Sequence, residues 1–280
     1  MNERIIKQSD ICAFATYLAA EEKSKATVQK YVRDVRRFAV FMTDQPIDRT
    51  GILSYKEHLA KEYAISSANS MLAALNAFWK YKGWPELCVK QFKMQHRVFR
   101  SEILELTKDE YIHLVVTAYS QGNERLALLL QTVCGTGIRV SELKYITVEA
   151  AYYGETTVSC KGKIRKVFIV AALRRKLLQY AEKHKITTGQ IFITKTGKAI
   201  DRSNIWRDMK ALCEQTGIPS EKVFPHNLRH VFAREFYELE KDIAKLADIL
   251  GHSSLNTTRL YIMETGSEHK KKMEAMQLIT

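Results

Sequence analysis

Hydrophobic periodicity breaks once along this chain, and that break limits the fold to two units. Up to residue 82, apolar residues recur at helical spacing. Between 88 and 100 no period survives, and Thr107-Lys108-Asp109-Glu110 then reads as a capping box, with Thr107 at the N-cap and Glu110 three positions on. A chain patterned this way does not close over one continuous core. The pattern predicts a helical unit over residues 1–86, an exposed basic linker over 87–106 and a second, mixed unit over 107–280. A length of 280 residues suits one large domain or two ordinary ones.

Four helices are expected in the first unit. Ser9 or Asp10 could cap the first, which places Ile11, Phe14, Ala15 and Leu18 on one face. Thr27 opens the second, whose Val28, Tyr31, Val32, Val35 and Phe38 form an apolar stripe. Its other face carries Lys30, Arg33, Arg36 and Arg37, with Asp34 the one acid among them. Such a face serves either as a solvated surface or as a phosphate contact, and the density of cations favours the second. A third helix covers 50–61. The fourth starts near Ser66 or Ser67 and buries Met71, Leu72, Leu75, Phe78 and Trp79. The linker adds Lys90, Lys93, Arg97 and Arg100.

In the second unit, helices are expected at 108–119, 123–134, 139–146, 172–185, 203–215, 226–239, 242–250 and 255–263. Two β-branched runs, 156–160 and 165–170, flank Lys161-Gly162-Lys163 as in a hairpin, and 191–194 with 198–200 suggests a smaller one. Residues 267–280 read as a last helix with Met273, Met276 and Leu278 apolar. The fold class is therefore mainly α with small β-hairpins.

The net charge is +13, and both portions share it. Residues 1–100 hold 17 basic and 10 acidic side chains, and the remainder hold 27 and 21. A basic field over the whole chain suits a polyanion approached from two sides, although charge alone does not separate this from a surface kept soluble. Five scattered cysteines without C-x-x-C spacing indicate neither zinc nor a disulfide framework, and suit a reducing cytoplasm. Charges at Glu3, Arg4, Lys7 and Asp10 exclude a signal peptide from this reading. The most apolar stretch, Leu126 to Cys134, is too short for a bilayer.

The chemistry-bearing residues lie in the second unit. His226 and Arg229, spaced i and i+3 behind Pro225, share a helix face near an N-terminus, where anions are favoured. An arginine grips a phosphate with two parallel hydrogen bonds. Alone, such a pair serves a structural salt bridge as readily. Gly251 suits the left-handed end of the 242–250 helix and fixes His252 in a tight turn. Arg139 follows Gly135-Thr136-Gly137, and Glu142 one turn later is either a bridging partner that orients it or part of an ordinary glycine turn and surface helix. Tyr261 is one of thirteen tyrosines. A phenol, with a pKa of about 10, needs neighbouring cations or a base before it attacks anything at neutral pH.

Taken in order, Thr136-Gly137-Ile138-Arg139 with Glu142, Lys161-Gly162, His226 with Arg229-His230, Gly251-His252 and Tyr261 resemble the tyrosine recombinase (phage integrase) family. Residues 250–261, Leu-Gly-His-Ser-Ser-Leu-Asn-Thr-Thr-Arg-Leu-Tyr, are similar to that family's C-terminal signature almost without gaps. The likeness covers 107–265 strongly and 1–85 more loosely, through a helical, SAM-like core-binding pattern.

The resemblance implies that Arg139 and Arg229 clamp a scissile phosphate while His226 and His252 donate to its oxygens. It also makes His226 a candidate acceptor for the proton of Tyr261. Lys161 would protonate the departing 5′ oxygen, with Lys163 the alternative, and Tyr261 would form a 3′-phosphotyrosyl link to DNA. Neither metal nor other cofactor is implied, because transesterification exchanges one phosphate ester for another. The implied partners are double-stranded DNA with an inverted-repeat core site, held in a two-domain clamp, and further copies of the chain in a tetramer that passes through a Holliday junction. The implied location is the cytoplasm, at the nucleoid. The total length matches a simple, Xer-like recombinase. The rivals are a type IB topoisomerase-like relaxase and a DNA-binding regulator that does not cut.

Overall fold

The computed structural model describes residues 4–43, 45–93, 105–160, 163–194, 196–263 and 266–277. By contact density the chain divides into Met1–His96 and Arg97–Thr280.

The first unit contains α1 (Gln8–Ala20), α2 (Lys25–Phe41), α3 (Arg49–Glu62) and α4 (Ile65–Tyr81). Two of the expected starts are corrected. Lys7, not Ser9 or Asp10, is the N-cap of α1, and Asp10 sits inside the first turn and accepts the Lys7 N–H at 2.9 Å. Ser24, not Thr27, caps α2, its hydroxyl accepting from the Thr27 N–H. Both caps lie two to three residues upstream. For α2 this is because the cap hydroxyl bonds the N3 amide, which is the residue the pattern singles out, whereas Lys7 makes no side-chain cap bond. Phe14, Phe38, Tyr55, Leu72, Phe78 and Trp79 form the core. Phe38 meets Tyr55 and Trp79 edge-on at 5.0 and 5.3 Å, the arrangement that ring quadrupoles favour.

The expected exposed linker is only partly one. After a 3₁₀ turn at Pro85–Leu87, the stretch up to residue 93 is pinned to α4. Asn76 exchanges two hydrogen bonds with the backbone of Val89 (2.8 and 3.0 Å), and Asn69 exchanges two with Phe92 (2.9 and 2.8 Å). Leu87 and Val89 are buried, while Lys90 and Lys93 face outward. The sequence shows no period here because an extended strap held by two asparagine side chains has none of the helical kind.

The second unit comprises α5 (Lys108–Ser120), α6 (Glu124–Thr136), a 3₁₀ helix at Val140–Tyr145, α7 (Val148–Tyr153), β1 (Glu155–Cys160), β2 (Lys163–Phe168), α8 (Ala171–Lys183), α9 (Arg202–Thr216), α10 (Pro225–Glu240), α11 (Ile243–Leu250), α12 (Leu255–Arg259) and α13 (Gly266–Ala275). The capping box at Thr107 and Glu110 forms as read. Buried on most sides, α6 packs against α5, α8 and α10. β1 and β2 pair antiparallel, with Val158 opposite Arg165 and Thr156 opposite Val167.

Four expectations change. The helix expected at 139–146 is 3₁₀, and α7 follows it unannounced. The second hairpin reduces to one bridge between Ile193 and Ala199. Lys163 is a strand residue paired with Cys160, not a turn residue. The helix expected to run to 263 stops at Arg259, which leaves Tyr261 in the turn beyond it. Among the described residues no helix is long and apolar enough to cross a membrane.

Candidate active site

Three local decisions bring the site together. α6 ends in Gly137 at φ 63°, and a β-carbon there would come within 2.5 Å of the Phe232 ring, so only glycine lets α10 pass this close. Pro225 starts α10, its missing N–H costing nothing at a helix start. α11 ends in Gly251 at φ 64°, and the His252 N–H closes that turn on Ala247 at 2.9 Å. Arg139 and His252 therefore issue from the ends of helices, and Arg229 from the second turn of α10, where the backbone is fixed.

Tyr261 is 5% exposed and belongs to a small apolar cluster with Ala233, Leu246 and Leu250. Its ring stacks on His230 at 4.1 Å, meets His226 edge-on at 5.1 Å and lies 4.9 Å from His252. The Arg229 guanidinium carbon sits 5.9 Å from the ring centre. The hydroxyl is 3.1 Å from His226 Nε2, within reach for proton transfer.

Arg229 is 1% exposed. Its Nη1 donates to the Gly137 carbonyl and its Nη2 to the Leu250 carbonyl. Burial first, and then the nearby Arg139, lower its pKa to about 10, so it remains charged at neutral pH. His252 Nε2 lies 3.2 Å from Arg229 Nη2. A guanidinium only donates, so Nε2 accepts and the ring proton sits on Nδ1, 2.9 Å from the Thr258 hydroxyl. Burial, followed by the charge of Arg229, lowers the His252 pKa to about 4, so the ring is neutral.

Glu142, 2% exposed, accepts from Arg139 Nη1 at 2.9 Å and from the Arg139 amide at 2.8 Å, the orienting contact expected of it. An open cleft of about 390 Å³ is lined by Arg139, Glu142, Arg165, Asp248, Gly251 and His252, among others. Two guanidinium groups and an imidazole around a cleft of that size make a seat for a phosphodiester.

Five expected residues thus converge, with qualifications. Arg139 and His252 line the cleft, whereas Arg229 lies beneath it with both terminal nitrogens on carbonyls. His252 Nε2 points at Arg229 as an acceptor, not outward as a donor. Lys161 and Arg97 lie outside the described residues, and Lys163 is located by its strand pairing alone. Among the helical cations, Lys30 is tied to buried Asp34 at 2.7 Å and to the Ser70 carbonyl at 3.1 Å. Arg33, Arg36 and Arg37 are exposed. With Lys30, Ser66, Ser67 and Ser70, Arg33 and Arg37 line a second cleft of about 430 Å³.

Sequence reasoning assigned no role to Arg165 or Thr258, and named His230 only as part of a matched motif. The signal for Arg165 was available. Strand periodicity puts it on the same face as Val167 and Ile169, both buried, so a cation was pointing inward.

Residues 105–268 match the phage integrase family, and residues 11–85 match the N-terminal SAM-like domain of phage integrases. The chain belongs to the phage integrase family, the tyrosine recombinases. It is similar to the tyrosine recombinase XerA of Pyrococcus furiosus, at 29% identity over 287 residues that cover 100% of this chain and 98% of the relative. It resembles a crystal structure of XerA recombinase with a TM-score of 0.54 at 26% identity, covering 97% of this chain and 99% of that one. The fold is also that of a lambda integrase dimer bound to a COC′ core site, with a TM-score of 0.74 at 20% identity, covering 93% and 96% of the two chains.

Proposed function

We propose that this chain is a site-specific recombinase that cuts and rejoins double-stranded DNA at an inverted-repeat core site through Tyr261. The phenolic oxygen attacks the scissile phosphorus, its proton passing to His226. The bond to the 5′ oxygen breaks, and that oxygen takes a proton from Lys161, with Lys163 the alternative. The product is a 3′-phosphotyrosyl ester. A 5′ hydroxyl from the other duplex then attacks the same phosphorus and expels the tyrosine. One phosphate ester replaces another, so the step balances without ATP.

The observation that carries this reading is the Tyr261 hydroxyl 3.1 Å from His226 Nε2, beside Arg229 and the cleft that Arg139 lines. Phosphoryl transfer asks mainly for positioning and for cations around the equatorial oxygens, and this cluster offers both. Arg229 reaches a phosphate once its carbonyl contacts exchange for the ligand, and His252 donates once its proton moves to Nε2. In this reading residues 1–86 and 107–280 are the DNA-binding and catalytic domains. Arg33, Arg36, Arg37, Lys90, Lys93 and Arg97 contact the backbone. Four copies act together at the nucleoid in the cytoplasm, with the exposed Met273 and Met276 of α13 docking on a neighbour.

A nicked suicide duplex carrying the core site tests the claim. In EDTA the wild-type chain is expected to trap a covalent protein–DNA adduct, Tyr261→Phe is expected to trap none, and two intact duplexes should yield recombinant strands. A salt-sensitive gel shift with no adduct would make the chain a regulator. Adduct and relaxation without strand exchange would make it a relaxase.

A further inference from the structure

Arg165 has no role in the chemistry proposed above, yet it holds the middle of the site. It stands on β2 opposite Val158, its side chain 9% exposed, and its Nη2 donates to Glu142 Oε2 at 2.6 Å. The same carboxylate holds Arg139 through Oε1. Arg165 also lies across Gly251, where a β-carbon would come within 2.5 Å of Arg165 Cδ, so the turn that carries His252 is shaped to admit this side chain. One buried carboxylate is thus shared by two guanidinium groups, both on the wall of the cleft.

The charge count gives the arrangement its purpose. Glu142 with Arg139 alone sums to zero, and a buried carboxylate at hydrogen-bond distance would cancel much of the field that Arg139 presents to an anion. Among these three groups the second guanidinium restores a net charge of about +1; Arg229 beneath the cleft and Asp248 on its wall lie outside that sum. His252, neutral here, cannot supply that charge.

We propose that Arg165 is a positioning residue for Arg139. It neutralises Glu142, so that Glu142 fixes the Arg139 side chain without discharging it toward the phosphate. The proposal rests on the recombinase reading for its substrate, but the charge balance can be read without turnover.

The experiment uses the full chain with Arg165→Met, Glu142→Gln and the double substitution. Single-turnover adduct formation and duplex affinity are measured separately. Arg165→Met is expected to slow adduct formation about 100-fold, the usual scale for one transition-state donor, with duplex affinity nearly unchanged. Neutralising the carboxylate as well should restore at least about tenfold of that loss, since the cancelling charge is gone. Starting from Glu142→Gln, adding Arg165→Met is expected to cost less than about threefold, a comparison that stands even if Arg165→Met alone folds poorly.

Thermal stabilisation by inorganic phosphate gives the turnover-free reading: present in the wild type, lost in Arg165→Met and regained in the double variant. A double variant as slow as Arg165→Met, or phosphate stabilisation equal in all three, overturns the proposal. A wild-type chain that forms no adduct but follows the phosphate pattern overturns the recombinase reading and leaves this inference standing.

Discussion

His252 shows how a single side chain is conditioned by its place. Desolvation and the Arg229 guanidinium hold its pKa at about 4, against 6.5 for the free side chain. The unfolded chain therefore takes up a proton in the window from 6.5 down to about 4, while the folded chain refuses it. Stability that this residue contributes above pH 6.5 is lost as pH falls through that window. Thermal melts at pH 7.5 and pH 5 should show a drop that is smaller for His252→Asn than for the wild type, and equal drops would refute the assignment. The residues of this site were legible unevenly. Arg139, His226, Arg229, His252 and Tyr261 were found because each stands in a short motif. The inward-facing strand position of Arg165 was readable, but its partner, Glu142, lies 23 positions away, so the pairing was not. The burial of Arg229 and the tautomer of His252 depend on carbonyls and hydroxyls from three segments, which no spacing reveals.

At the scale of elements, the helix ends marked by proline, glycine or a capping box were readable. The starts of α1 and α2, the end of α12 and helix type were not. Thr107, Pro225, Gly137 and Gly251 act through their own backbone or the next turn, so sequence suffices for them. Between Arg139 and Thr147, Glu142 reaches back to the Arg139 amide and Thr147 caps the next helix, which leaves room for two tight turns only. The left-handed caps allow a controlled comparison. Gly217 and Gly251 both end helices, at φ 67° and 64°, but a β-carbon on Gly217 would meet nothing within 4 Å. Gly217→Ala should cost about 1–2 kcal/mol, the usual penalty for a left-handed alanine. Gly251→Ala should cost more in the same chemical denaturation series, because Arg165 must also move off Glu142. Equal costs would mean that Arg165 yields freely.

Across the whole chain, and among the described residues, the hydrophobic cluster of the first unit shares no residue with the two clusters of the second. The break in periodicity was placed too early, at 87, because the Asn69 and Asn76 contacts that draw residues 88–93 onto the first unit are not hydrophobic. The charge of +13 was legible from composition, but its distribution was not: four cations on α2 looked alike until Asp34 proved to be 2% exposed and to claim Lys30. That difference separates two outcomes for DNA binding. Each phosphate neutralised by an exposed cation contributes about 0.9 to the slope of log affinity against log salt. Arg36→Gln should lower that slope by about 0.9, with fold stability unchanged, whereas Arg33 also reaches Asp34 at 3.5 Å and is no clean comparison. The measurement is fluorescence anisotropy on a labelled duplex between 50 and 200 mM salt, a range of about fourfold over which such losses are resolvable. Lys30→Gln should behave in the opposite way: the slope hardly moves, while the chain loses about 1–3 kcal/mol because a buried carboxylate is left short of a partner. A Lys30→Gln chain that kept its stability and lost the slope would place Lys30 on the DNA and make its pairing with Asp34 incidental.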